Sequence, residues 1–206
     1  MSARTFEPIS IIVSPFVLIE QENVDTDQIL PGKFLTTIDR KGLGEKAFYH
    51  WRFDESGGMK SDSLFNSPQS RVSKILVAAS NFGCGSSREH AAWALYDYGF
   101  RVILSPQLGD IFRSNCLMNG ILAAEIDREM FQSLRRAGGA QLCVDLRRCE
   151  IVLDDKARSS FDIDPLARLC LLDGLDPLGF LLSNDGAIRR FELQRISRRR
   201  DPAAAT

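Results

Sequence analysis

This 206-residue chain has no pair of cysteines spaced C-x-x-C. Its five cysteines, Cys84, Cys116, Cys143, Cys149 and Cys170, are odd in number and scattered. That pattern argues against a disulfide framework and against a zinc ribbon. It argues equally against an iron–sulfur cluster held by this chain alone, since such clusters take closely spaced thiolates. What remains is reduced, cytosolic thiols packed as small apolar residues. A long apolar run is missing too, and nothing here reaches the length needed to cross a bilayer. Neither sign of charge dominates: 26 Lys and Arg stand against 27 Asp and Glu, so the net charge of -1 exerts no pull toward nucleic acid or anionic lipid. Residues 1–8 put Arg4 and Glu7 ahead of any apolar stretch, unlike a secretion signal. There is no internal repeat.

What is present is ordinary in bulk. A 44% hydrophobic share is enough to build a core, and the length suits one globular domain with a modest appendage. Residues 9–19 read as one or two short strands broken at Pro15. Residues 33–73 are the least regular part, a long loop region with a short helix near residues 44–52. From Lys74 the pattern changes. The apolar runs 74–79, 101–104 and 121–126 read as strands buried on both faces, with helices at about 88–98 and 108–118 between them. Such alternation predicts an α/β fold around a parallel sheet. Asp127 is a helix N-cap, and Gly138-Gly139 ends that helix. Residues 141–146 and 151–154 read as an antiparallel pair, with residues 161–163 after them. Asp164-Pro165 opens a short helix. Asn184 to Arg195 is a last helix, with Ala187, Ile188, Phe191 and Ile196 near helical spacing. Residues 198–206 read as a disordered, solvated tail.

The chemistry concentrates in Ser80-Asn-Phe-Gly-Cys-Gly-Ser-Ser-Arg-Glu-His90, between a buried strand and a helix. Ligands of open parallel sheets sit at the carboxyl ends of strands. Gly83 and Gly85 let the backbone turn tightly, the helix start offers free N–H groups, and Arg88 adds a fork that matches a carboxylate. A structural account stands beside this one. Ser86-x-x-Glu89 fits a capping box, which explains those two residues but not the glycines, Ser87 or Arg88. The segment lacks the spacing of a P-loop, the third glycine of a dinucleotide fingerprint, and the G-x-S-x-G of a hydrolase elbow. His90, four residues after Ser86, reads as a capping or packing residue.

Asn81-Phe-Gly-Cys-Gly-Ser-Ser-Arg-Glu-His-Ala91 and Trp93-Ala-Leu-x-Asp-Tyr-Gly-Phe100 resemble the signature of 3-isopropylmalate dehydratase small subunits. So do Asn23-Val-Asp-Thr-Asp-Gln-Ile-Leu-Pro31, Phe34-Leu35, Trp51-Arg52, Asp110-Ile-Phe-x-x-Asn115 and Gly174-Leu-Asp176. The likeness covers residues 10 to 193, nearly the whole chain. It implies a swivelling three-layer β/β/α domain with a parallel central sheet, as in the fourth domain of aconitase, spanning residues 1–197. It also implies a hydro-lyase of leucine biosynthesis that works only with a large subunit, as a heterodimer or heterotetramer. That partner would carry the [4Fe-4S] cluster, with no cofactor or metal in this chain. Neither nucleic acid nor membrane is expected as a partner, and a small 2-hydroxy dicarboxylic acid is the expected substrate.

By the same resemblance Ser86 is the catalytic base, acting as an alkoxide, with Arg88 beside it in catalysis. Ser87 and Arg88 grip a substrate carboxylate, and Asp27 matches an acidic active-site position. Residues 33–44 match the substrate-recognition loop, with Phe34, Leu35 and Arg40 in contact with the substrate. Read on their own, Asp27 equally suits a turn-stabilising residue, and Phe34 and Leu35 equally suit anchors of the loop to the core. The chain departs from the family where Arg40-Lys-Gly-Leu-Gly44 replaces a commoner Arg-Thr-Gly-Phe-Gly, and Ala91-Ala-Trp93 a commoner Ala-Pro-Trp. Two alternatives follow: a related hydro-lyase acting on 2-methylmalate/citraconate or dimethylmalate, or a non-catalytic carboxylate-binding module.

Overall fold

The structure, a computed structural model, describes residues 5–36, 39–154 and 156–200. Seven strands form one mixed sheet in the order β4-β3-β2-β1-β5-β6-β7. The strands are β1 (Ile11–Ile19), β2 (Ile75–Ala78), β3 (Val102–Ser105), β4 (Leu122–Glu125), β5 (Gln141–Asp145), β6 (Glu150–Leu153) and β7 (Ala157–Ser160). The first four run parallel. The last three continue the ladder antiparallel. The parallel sheet expected from the alternating runs is therefore one half of a larger mixed sheet.

Pro15 does not break β1, as the sequence suggested. It marks a change of partner within one continuous strand. Ile11–Pro15 pair antiparallel with β5, and Phe16–Ile19 pair parallel with β2. A residue without an N–H costs least where one ladder hands over to another.

The parallel strands are buried on both faces and feed two cores by alternation. Val17, Ile19, Leu76, Ala78, Ile103 and Ala123 point to one side, into a cluster with Ile29, Phe48, Leu95 and Phe112. Phe16, Ile75, Val77, Leu104, Leu122 and Ala124 point to the other, into a cluster with Met130, Leu134, Leu142 and Leu171. The first side carries α1 (Thr26–Ile29), α2 (Tyr49–Arg52), α4 (Glu89–Tyr98) and α5 (Asp110–Met118), and it is the side of the site. The second carries α6 (Arg128–Ala137) and α7 (Pro165–Asp173). Each large side chain removed from water contributes about 1.5–3 kcal/mol, so the two clusters are the main source of stability.

Residues 33–73 are more ordered than a long loop. Among the described residues from 32 to 73 there are three single 3-10 turns, α2, and α3 (Pro68–Val72). The short helix expected over 44–52 appears as a 3-10 turn at Gly44–Lys46 followed by α2. Leu43, Ala47, Phe48 and Phe65 are buried in the first core. Arg52 holds the segment together. It is 4% exposed, and its Nη1 donates to the carbonyls of Gly44, Glu45 and Ala47 at 3.1, 3.1 and 3.2 Å. Its Nε donates to Asn66 Oδ1 at 3.1 Å, and Asn66 Nδ2 returns a bond to the Arg52 carbonyl at 2.8 Å. Burial pushes the Arg52 pKa below its ordinary value.

Toward the C-terminus the N-caps at Asp127 and Asp164 are where the sequence places them, each side chain accepting a backbone N–H. The third antiparallel strand is β7, just before the expected residues 161–163. An unforeseen helix, α8 (Pro177–Ser183), has Asp176 as its N-cap. The last helix, α9 (Asp185–Arg200), runs through Arg198–Arg200, which the sequence placed in a disordered tail; residues 201–206 lie outside the described residues. Ile188 and Phe191 on α9 are 37% and 64% exposed, so their helical spacing marks no buried stripe.

Candidate active site

Three neighbouring parallel strands end at one edge of the sheet, and their loops run on side by side. The segment after β2 lies between the loops after β1 and β3. Asn23 N–H donates to Ser80 O at 3.0 Å, Gly83 N–H to Val24 O at 2.7 Å, and Thr26 N–H to Cys84 O at 3.0 Å. On the other flank Phe82 N–H donates to Gln107 O at 3.2 Å, and Gly109 N–H to Phe82 O at 2.9 Å. The segment is thus pinned by main-chain bonds on both sides, like a short extension of the sheet. Two left-handed glycines make this possible. Gly83 has φ +74°, and a Cβ there would fall 2.2 Å from Phe112 ring carbons; Gly85 has φ +88°.

The extension ends at Ser86, Ser87 and Arg88. Ser86 and Ser87 are exposed. Thr26 Oγ1 donates to the Ser86 carbonyl at 3.2 Å, and Thr26 is itself buried. The serine is therefore held by its backbone while its side chain faces solvent. The capping-box alternative does not hold. The N-cap of α4 is Arg88, and it makes no side-chain cap bond. A true capping box sits instead on α1, where Asp25 Oδ1 accepts from Gln28 N–H at 2.7 Å and Gln28 Oε1 accepts from Asp25 N–H at 3.0 Å.

Asp27, from α1, meets Arg88 directly: the guanidinium donates to Asp27 Oδ1, and the two side chains form an ion pair. Residues 61 positions apart are thereby joined at the mouth of the segment. Asp27 is not a plain turn residue, because its neighbour Asp25 performs the capping. Gly32 lets the next loop come close, since a Cβ there would lie 3.4 Å from Asp27 Oδ1.

The recognition-loop residues divide. Phe34 and Leu35 are half-buried and pack against the first core. The Phe34 ring lies 5.0 Å from that of Tyr49, and Lys33 Nζ sits 4.1 Å from the Tyr49 centroid. The anchoring role is thus occupied in this structure. Arg40 points elsewhere, its guanidinium carbon over the Trp93 ring at 4.4 Å from the centroid and its Nη2 pairing with Glu89 Oε1 at 3.4 Å. His90 packs against the same indole, ring centroids 4.4 Å apart, which agrees with its packing reading. A cavity of about 500 Å³ opens beside this cluster, lined by Phe6, Arg40, Trp93, Tyr96, Asp97 and Asn119. Ser86, Ser87 and Arg88 do not line it.

Two residues of this cluster were not singled out from sequence as site residues. Glu89 looked like half of a capping box. Asn119 carries one signal: it is a polar residue next to Gly120 at a helix end, inside an apolar stretch. It is 2% exposed. Among the described residues no group of three or more His, Cys, Asp and Glu side chains is placed to hold a metal ion. The five cysteines are free thiols, and burial raises the pKa of Cys116 and Cys170, which disfavours thiolates there.

Comparison with known proteins decides the family. Residues 17–129 match the family described as aconitase C-terminal domain. The 3-isopropylmalate dehydratase small subunit of Anaeromyxobacter dehalogenans is 47% identical over 186 residues, covering 90% of this chain and 97% of that protein. The chain belongs to the 3-isopropylmalate dehydratase small-subunit family. The small subunit from Roseiflexus castenholzii is 44% identical over 189 residues, covering 90% of this chain and 93% of its own. The crystal structure of 3-isopropylmalate dehydratase from Methanocaldococcus jannaschii superposes with a TM-score of 0.67 at 25% identity, covering 87% of this chain and 98% of that one. Family membership bears out the α/β swivel-type fold and the hydro-lyase class read from the sequence. Among the described residues no helix is long and apolar enough to cross a membrane.

Proposed function

We propose that this chain is the small, base-bearing subunit of a 3-isopropylmalate dehydratase, interconverting 2- and 3-isopropylmalate by dehydration and rehydration. The observation that carries the reading is the state of the segment ending in Ser86-Ser87-Arg88. It is locked through its backbone, yet both of its serines are exposed. Such a half-site suits completion by a second protein, and relatives named small subunits imply a large one.

In this reading Ser86 removes the proton from the carbon next to a substrate carboxylate. Serine is a weak base, so its alkoxide needs positive surroundings. The N-terminus of α4 and the Arg88 guanidinium, three and two residues further on, supply them. Ser87 and Arg88 hold the carboxylate, whose charge grows as the proton leaves. Arg88 is paired with Asp27 in the free chain, so an incoming carboxylate must share or replace that pair. Asp27 keeps the fork aimed until then. The described residues offer no ligand set for an iron–sulfur cluster, which supports its placement on the large subunit, where the departing hydroxyl would be handled.

Relatives named for isopropylmalate favour that substrate over methylmalate. The test is turnover on mixing this chain anaerobically with the large subunit from its own genome. The alkene absorbance should change with 3-isopropylmalate and hardly at all with citraconate. Turnover of citraconate alone would move the reaction to a different acid, and silence with both, despite a formed complex, would leave only carboxylate binding.

A further inference from the structure

We propose that Glu89 and Asn119 are positioning residues, which fix the recognition loop to the catalytic helix through Arg40. The proposal rests on the function given above. Four side chains close a ring. Arg40 pairs with Glu89 Oε1 at 3.4 Å, and Asn119 Nδ2 donates to the same oxygen at 2.9 Å. Asn119 Oδ1 accepts from Trp93 Nε1 at 3.1 Å, and the Trp93 ring carries the Arg40 guanidinium at 4.4 Å. The ring has a fixed base. Asn119 is buried at the end of α5, and its Nδ2 also donates to the Asn115 carbonyl at 2.7 Å. The ring therefore refers the loop to the helix pair α4–α5 rather than to solvent.

Its location gives it a function. Glu89 follows Arg88 directly and stands three residues after Ser86. The loop is docked along α4 at two points. Arg40 meets Glu89 and Trp93 in the first half of the helix, and Gly44 N–H donates to Asp97 Oδ2 at 2.8 Å near its end. Gly44 lies so close that a Cβ there would fall 2.4 Å from the Tyr98 backbone nitrogen. The docking thus fixes residues 40–44 of the loop to the helix that directly follows Ser86, Ser87 and Arg88. Arg40, read from the sequence as a substrate contact, acts as a strut in this arrangement. Its guanidinium is engaged twice, over the indole and at the Glu89 carboxylate.

The Arg40–Glu89 pair of the ring is partly exposed, and such an ion pair adds little to stability. Its effect belongs to placement, and placement errors of about an ångström change rates by orders of magnitude. The test uses Arg40→Ala, Glu89→Gln, Glu89→Ala and the Arg40→Ala/Glu89→Ala double variant, each assembled with the large subunit. Arg40→Ala and Glu89→Ala should each raise KM for 3-isopropylmalate and lower its kcat/KM relative to citraconate by on the order of tenfold. The double variant should be no worse than either single one, because both cut the same ring. Glu89→Gln, which keeps an acceptor for Asn119, should lose less. Effects that multiply in the double variant, or a Glu89→Ala enzyme with native specificity, would overturn the proposal and return Arg40 to direct substrate contact.

A second readout needs no substrate. Amide hydrogen exchange over residues 40–43 of the free chain should speed up equally in the two alanine variants and no further in the double. Unchanged exchange in both would overturn the clamp. If the wild-type pair turned over no substrate, the proposed function would fall while the exchange result still decided the clamp.

Discussion

Segment 80–88 and segment 40–66 both flank the site, but they are held by different means. The first is fixed mainly by main-chain bonds on both flanks, to which Thr26, Asn81 and Arg88 add side-chain bonds. The second is fixed largely by side chains, with one main-chain bond from Phe48 N–H to Ile29 O beside them: Arg52 reaches three carbonyls and Asn66, Asp97 reaches Gly44, and Arg40 reaches Glu89. Backbone bonds do not depend on residue identity except where glycine is required. Side-chain bonds do. The segment that ends in Ser86, Ser87 and Arg88 is therefore demanding at its glycines, whereas segment 40–66 can be repositioned by changing a few residues. A fold so divided can keep one reaction and vary its substrate.

Gly83→Ala should break the first segment most severely. The left-handed φ and the clash with Phe112 together should cost about 4 kcal/mol in urea unfolding, with much of the protein lost on expression. A cost under about 1 kcal/mol would mean the segment can relax, and the comparison would weaken. Arg52→Met probes the second segment. It removes the guanidinium from the carbonyls of Gly44, Glu45 and Ala47, leaving the buried Ala47 carbonyl without that donor, and should cost about 3 kcal/mol. Exchange over residues 43–66 should rise in that variant while exchange over residues 80–86 stays slow. Faster exchange in both would mean that the two segments are one cooperative unit.

Asp127→Ala touches neither segment and sets the scale for an ordinary cap. It should cost about 1 kcal/mol at neutral pH. Hydrogen bonds from the Ser159 hydroxyl and the Met130 N–H hold the Asp127 carboxyl below its ordinary pKa. A depressed folded-state pKa contributes stability above the unfolded value and loses it as pH falls through the folded one. The gap between wild type and Asp127→Ala should therefore narrow as pH drops below about 4, where an unfolded aspartate protonates.

What the sequence made legible follows the same division. Strands buried on both faces, helices closed by glycine, and N-caps at Asp127 and Asp164 are local patterns, and they stand where local physics puts them. Arg88 and Asp27 meet next to Ser86 and Ser87, a pairing that spans too much chain to be read locally. Pro15 misled because a strand that changes partners can accommodate the missing N–H. Residues 33–73 looked like loop because their order comes from the burial of one arginine, a tertiary event with no periodic trace. Ser86-x-x-Glu89 matched a capping box by spacing, but the helix starts later, and Glu89 is engaged by Arg40 and Asn119.

The most direct test of the account is Ser86→Ala in the pair assembled with the large subunit. Ser86 is exposed and held by its backbone, so the variant should fold, assemble and bind 3-isopropylmalate while turnover falls by about a thousandfold or more. Turnover within about tenfold of wild type would show that another group takes the proton, and that the rigid segment positions the substrate rather than the base.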